Sequence, residues 1–153
     1  MLMGKMTTTR WNLEFARWIP AVFCLGSILG LTGCGFQHDK DLAADAVVNF
    51  HRLLAAGKDD VIYDAATDRF RTTDRKIILG HFARIRRKMG ECKSSKGWAP
   101  GVLSSPKAGT FIMQSFRTSC ANGEIQETFL WRITKDGARL DKYSASSPLL
   151  LTD

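Results

Sequence analysis

FIMQSFRTSCANGEIQETFLWRIT, residues 111–134, decides the fold. It is two β-type runs joined at Asn122-Gly123, a dipeptide that tolerates positive φ at both positions and so predicts a tight hairpin. In the second run Ile125, Glu127, Phe129, Trp131 and Ile133 alternate onto one face. Lys135-Asp136-Gly137 predicts a second turn, and ARLDKYSAS (138–146) a last strand that Pro148 helps to stop. Upstream, ECKSSKGWAPGVLSS (91–105) is rich in glycine and serine and carries Trp98, Val102 and Leu103. It reads as one irregular strand and a loop. The expected sheet is an antiparallel meander of three to four strands.

Before Gly90 the apolar period is helical. Leu42, Ala46, Val47, Phe50, Leu53 and Leu54 make one stripe, with Gly57 as its C-cap. Asp59 or Asp60 is expected to cap a short second helix carrying Val61, Ile62, Ala65 and Ala66. A third helix, capped by Thr72 or Thr73, buries Ile78, Phe82, Ile85 and Met89 and ends at Gly90. Arg84, Arg86, Arg87 and Lys88 crowd its last turns, where cations suit the helix dipole. Helices followed by strands predict an α+β domain: three N-terminal helices packed on the sheet.

Residues 1–33 read as an address. Lys5, Arg10 and Arg17 outnumber Glu14, and the uncharged run 19–31 that follows is short for a membrane span, which needs ~20 apolar residues. It ends in Leu31-Thr32-Gly33-Cys34, which resembles a bacterial lipobox. The resemblance implies cleavage before Cys34, recognised through Leu31, Thr32 and Gly33, and acylation of the Cys34 thiol. Several acyl chains anchor stably, since each buried CH₂ contributes ~0.8 kcal/mol. The expected organisation is a signal peptide (1–33), a lipidated tether (34–39) and one domain (40–153). Gly35, where an aspartate would retain the protein at the inner membrane under enteric sorting, points to the periplasmic face of the outer membrane.

Cys24 falls in the discarded segment. Cys92 and Cys120 remain in an oxidising compartment, where a pair of cysteines is expected to form a disulfide. Closing the loop 93–119 would stabilise by roughly 3 kcal/mol. His38, His51 and His81 have no ligand spacing to either cysteine, so no metal is expected. No Cys-x-x-Cys pair, phosphate-cradling glycine loop or nucleophile elbow is present, and no cofactor is expected.

Hydrophobic content of 44% and charged content of 24% exclude a chain disordered throughout. The net charge of +7 suits anionic surfaces. The basic cluster of the third helix could touch anionic lipid or a partner, or be a solvated helix end. The expected compartment argues against nucleic acid.

The element order, with VVNFHRLLAAGK (47–58), DVIYDAATDRFR (60–71), RKIILGHFARIRRKMG (75–90) and the terminal strands, resembles the nuclear-transport-factor-2-like (cystatin-like) cone domains, in their exported bacterial branch. The resemblance covers roughly 40–147 and implies a curved sheet curled around the helices with an open cone mouth. Enzymatic members of that family place an aspartate–histidine pair or similar inside the cone. Here His51, Tyr63, Asp64 and Glu127 are the candidates, and no family motif maps onto them cleanly.

Glu127 alternates with apolar residues, so it is either a pocket acid or a strand residue paired with an arginine such as Arg117. His51 is either a general base or a half-exposed helical histidine. Trp98, Phe129 and Trp131 read as core. The pocket expected is His51, Tyr63, Glu127 and Trp131, with no catalytic residue assigned. The expected role is a membrane-anchored envelope lipoprotein acting as a non-catalytic binding or assembly module, held through the lipid on Cys34 and meeting an envelope protein or a second copy of itself. The alternative is a small-ligand binder or enzyme that uses a polar pocket.

Overall fold

The computed structural model describes residues 34–105 and 109–151. The address segment, including Leu31, Thr32 and Gly33, lies outside the described residues, as do the side chains of Cys34 and Trp98.

Helix α1 runs Cys34–Ala55. The backbone is already helical at Cys34, where a short tether was expected before the helix. Ala43, Val47, Phe50, Leu53 and Leu54 form its buried stripe, and Gly57, at φ 67°, ends it as the sequence predicts. Helix α2 is Asp59–Ala65. Neither aspartate caps it: Lys58 holds the cap position without a side-chain bond, and the aspartates are the first two helical residues, paired with arginines of the third helix, Asp59 with Arg86 and Asp60 with Arg75 at 2.7 Å. A 3₁₀ turn, Phe70–Thr72, absorbs the threonines expected to cap the next helix. Helix α3, Arg75–Met89, is capped by Asp74, whose carboxylate accepts from the backbone N–H groups of Lys76 and Ile77 at 2.8 and 3.4 Å. Phe82, Ile85 and Met89 are its buried face.

Strands β1 (Cys92–Ser105), β2 (Gly109–Cys120), β3 (Gly123–Thr134) and β4 (Gly137–Ser146) form one antiparallel sheet in chain order. A last turn of helix, α4 (Pro148–Leu151), opens on Pro148, whose missing N–H costs nothing at a helix start. The β2–β3 turn is Ala121-Asn122, one residue earlier than expected, with Cys120 opposite Gly123. Asn122 is drawn into that turn because it also closes α3: its backbone N–H donates to the Met89 carbonyl at 3.1 Å and its side-chain amide to the Lys88 carbonyl at 2.9 Å.

The expected cone is corrected by the sheet itself. It is open and uncurled, with β1 and β4 as outer edges, so the chain lacks the closed, curved sheet of the cystatin-like cone. The physical reason lies in the register. Strong bending of a sheet needs bulges. The central β2–β3 ladder runs from Phe111↔Arg132 to Cys120↔Gly123 without a shift, and the register shifts fall in the flanking β1–β2 and β3–β4 ladders.

One face of the sheet carries the helices. Ile112 and Thr118 of β2, and Ile125, Glu127, Phe129 and Trp131 of β3, point into the core, so the alternation of β3 is as the sequence predicts. Phe50 of α1 meets Phe82 of α3 edge-on at 5.6 Å and Phe129 of β3 at 5.0 Å, fastening both helices to the sheet centre. The β3–β4 register shifts after Leu130, which buries both Leu140 and Asp141. Asp141 accepts from Thr67 Oγ1 at 2.9 Å and from Arg69 at 3.2 Å, tying the segment after α2 to β4. Cys92 and Cys120 are joined by the expected disulfide, linking the ends of β1 and β2.

Candidate functional site

Glu127 stands in the middle of the sheet, 2% exposed. Across β2 it faces Phe116, and across β4 it faces Ala145. Its diagonal neighbours on the same face are Thr118, opposite Ile125, and Tyr143, opposite Phe129. Diagonal positions are within reach of long side chains, and both residues donate to Glu127: Thr118 Oγ1 to Oε2 at 2.7 Å, and the Tyr143 hydroxyl to Oε1 at 2.8 Å. From above, α1 lowers His51, whose Nε2 lies 2.9 Å from Oε2. The imidazole is held edge-on against Phe50 and Phe129, each at 5.8 Å between ring centres.

Burial pushes the Glu127 carboxyl up, but the hydrogen bonds from His51, Thr118 and Tyr143 and the attraction of His51 outweigh it and hold the group below the usual range. The carboxylate is therefore charged, and its surroundings are donors. Tyr143 is pushed the other way: burial and the adjacent Glu127 charge hold its phenol well above the ordinary value.

His51, Thr118 and Glu127 of this cluster line a cavity of about 720 Å³ between α1, the end of α3 and strands β1 to β3. The walls are mostly apolar, with Val47, Leu54, Ile85, Phe116 and Ile125 among them, and His51, Glu127, Thr118 and Ser95 supply polar groups. Gly97 keeps β1 close to this wall, since a Cβ there would meet the Phe116 ring at 2.9 Å. Arg86 also lines the cavity, with its guanidinium already bound to Asp59 and near the Leu54 carbonyl at 3.5 Å. Such a volume falls within the ~300–1,000 Å³ typical of small-ligand sites.

Of the expected pocket residues, the structure brings His51 and Glu127 together and separates the other two. The Tyr63 hydroxyl donates toward the carbonyls of Arg71 and Thr73, at 3.0 and 3.2 Å, as a latch on the 3₁₀ turn. Trp131 stacks on Phe129 with ring centres 5.5 Å apart and lines a separate cavity of about 70 Å³. Asp64 is exposed and binds Arg75 at 2.6 Å. Arg117 does not meet Glu127; it lies on the opposite face, 3.9 Å from Glu124. Of the basic cluster, Arg86 is turned inward to Asp59 and Arg87 is exposed. Phe129 and Trp131 are core, as expected.

Sequence reasoning missed Thr118, Tyr143 and Ser95. The signal for Thr118 and Tyr143 was their place on the inward alternation of β2 and β4, which becomes a contact only once the register is known. Among the described residues, no three His, Cys, Asp or Glu side chains gather as metal ligands would. No family model matches the chain, and no curated protein matches it.

Proposed function

We propose that this is a lipid-anchored protein of the bacterial envelope whose domain holds a small, mostly apolar ligand by one polar end. The observation that carries the ligand reading is the cavity of about 720 Å³ lined by the Glu127–His51 pair, its carboxylate buried. A buried ionised group is costly to keep. Here it is retained beside open space, where a ligand can use the array it organises. The envelope location is supported by the lipobox-like Leu31-Thr32-Gly33-Cys34 and by a disulfide of the kind that persists in oxidising compartments. The His51 imidazole, oriented by a carboxylate, also has the form of a general base. No hydroxyl or thiol among the described residues is hydrogen-bonded to its other nitrogen, which favours holding a ligand over covalent chemistry.

Native mass spectrometry of the purified chain tests this. A retained mass above that of the disulfide-bonded protein, lost on filling the cavity with Val47→Trp, is the expected result. A bare chain that also fails to bind an apolar fluorescent probe would overturn it.

One observation favours a second reading, docking of a partner on the outer face of the sheet. Leu103 and Met113 are exposed there on the paired strands β1 and β2. Sedimentation of the wild type against Leu103→Ser over a range of concentrations checks for a second copy of the chain: self-association that the substitution abolishes would support this reading.

A further inference from the structure

The direction of each hydrogen bond around Glu127 can be assigned by elimination, and the result constrains the ligand. An ionised carboxylate only accepts. His51 Nε2 therefore carries the proton at the 2.9 Å contact. With the ring neutral this leaves Nδ1 as an acceptor, whereas in an imidazolium Nδ1 would donate. Nδ1 has no hydrogen bond to any described residue, and His51 stays 24% exposed where it lines the cavity. Thr118 spends its single proton on Glu127. Its contact with Ser95, at 2.9 Å, must then run from the Ser95 hydroxyl to Thr118 Oγ1. Ser95 Oγ is left with lone pairs alone.

Every proton in the cluster thus points toward Glu127, and every end that faces the cavity accepts. The charges agree. Of the charged residues lining the cavity, Arg86 is ion-paired with Asp59 through Nη1, while Glu91 and Glu127 are acids.

We propose that the cavity selects ligands whose polar end donates hydrogen bonds, a primary alkylammonium above all, and discriminates against a carboxylate of the same chain length. This rests on the ligand-binding reading above and names the chemistry of the ligand. A carboxylate would set its oxygens against the lone pairs of His51 Nδ1 and Ser95 Oγ and against the acids of the wall. An ammonium would donate to both and lie near the Glu127 charge.

The test is competition of dodecylamine, dodecanol and dodecanoate for a bound apolar fluorophore, on the purified full chain, at a pH between about 7 and 9 at which the imidazole ¹⁵N shifts show a neutral His51 ring. The amine is expected to bind about tenfold or more tighter than the acid, a gap of the size one mispaired buried polar contact produces, with the alcohol between. Equal or tighter binding of the acid overturns the proposal and leaves the cavity as a ligand site. Failure of all three to displace the probe overturns both.

Two further measurements separate the hydrogen-bond argument from simple charge. Imidazole ¹⁵N shifts of the unliganded wild type should show His51 protonated at Nε2 and bare at Nδ1; the opposite tautomer, or a ring protonated at both nitrogens across that pH range, overturns the assignment. Glu127→Gln removes the carboxylate that fixes the proton on Nε2; its amide presents either its oxygen or its NH₂ to that nitrogen, so the ¹⁵N shifts are read on the variant as well, and where the NH₂ faces Nε2 the tautomer reverses and Nδ1 becomes a donor. The preference for amine over acid should then collapse to within about threefold. If the preference survives in a folded Glu127→Gln protein whose Nδ1 is protonated, or collapses in one whose Nδ1 stays bare, the proton arrangement is not its cause.

Discussion

At the scale of single residues, Glu127 governs both stability and the site. Its carboxyl is held below the ordinary value in the folded chain. A depressed folded pKa contributes stability that is complete above the ordinary carboxylate range and is lost as pH falls through the folded value. Thermal midpoints should therefore fall below about pH 4, and Glu127→Gln should flatten that acid limb while lowering stability at neutral pH by about 1–3 kcal/mol. Tyr143 has the opposite sign. Its raised phenol pKa gives stability that is full below the ordinary tyrosine range and lost as pH rises beyond about 10. The chain has two tyrosines, so tyrosinate absorbance should show one of them ionising only as the protein unfolds, and Tyr143→Phe should remove that late step. Glu127 was legible as an inward acid because its neighbours alternate. His51 was legible in the same pocket but not as its partner; Arg117, the candidate for that place, could have been set aside. Whether the β2–β3 turn is Ala121-Asn122 or Asn122-Gly123, the pleat puts residue 117 and residue 127 on opposite faces.

Among the elements, the helices were read best where an apolar stripe fixed them and worst at their starts. Asp59, Asp60 and Asp74 are all plausible caps by residue type, and only the tertiary structure shows that two are consumed by Arg86 and Arg75. Asp74→Ala should cost about 1 kcal/mol in chemical denaturation, while Asp60→Ala, which removes an exposed ion pair, should cost less than about 0.5 kcal/mol. Gly80 sits inside α3 with open space where a Cβ would go, so Gly80→Ala should stabilise by about 0.5–1 kcal/mol. The length of β1 was hidden for a different reason. Its glycines and serines give no alternation, and its pairing is supplied by β2, which no local pattern in 91–105 encodes.

For the whole molecule, the class of fold was legible and its curvature was not. The change from helical to strand period at Gly90 fixes helices on an antiparallel sheet. Whether that sheet curls depends on where bulges fall in the ladders, and here they spare the centre. The disulfide was legible from cysteine count and compartment. Thiol blocking without reductant should leave Cys92 and Cys120 unlabelled, and replacing both by serine should lower stability by about 3 kcal/mol. Cys34→Ala should abolish acylation and slow processing, seen as loss of metabolic lipid labelling; a variant still labelled to wild-type extent would rule Cys34 out as the lipid site. The helical start of α1 would give such an anchor, as proposed, a mechanical meaning. An α-helix rises 1.5 Å per residue, so roughly 25 Å of stiff rod separates Cys34 from His51. Acyl chains on Cys34 would hold the domain by a lever rather than a leash. The tilt of that rod would set the altitude of the cavity above the head groups, and a glycine-serine insert behind Cys34 would let the domain tumble while leaving its cavity intact.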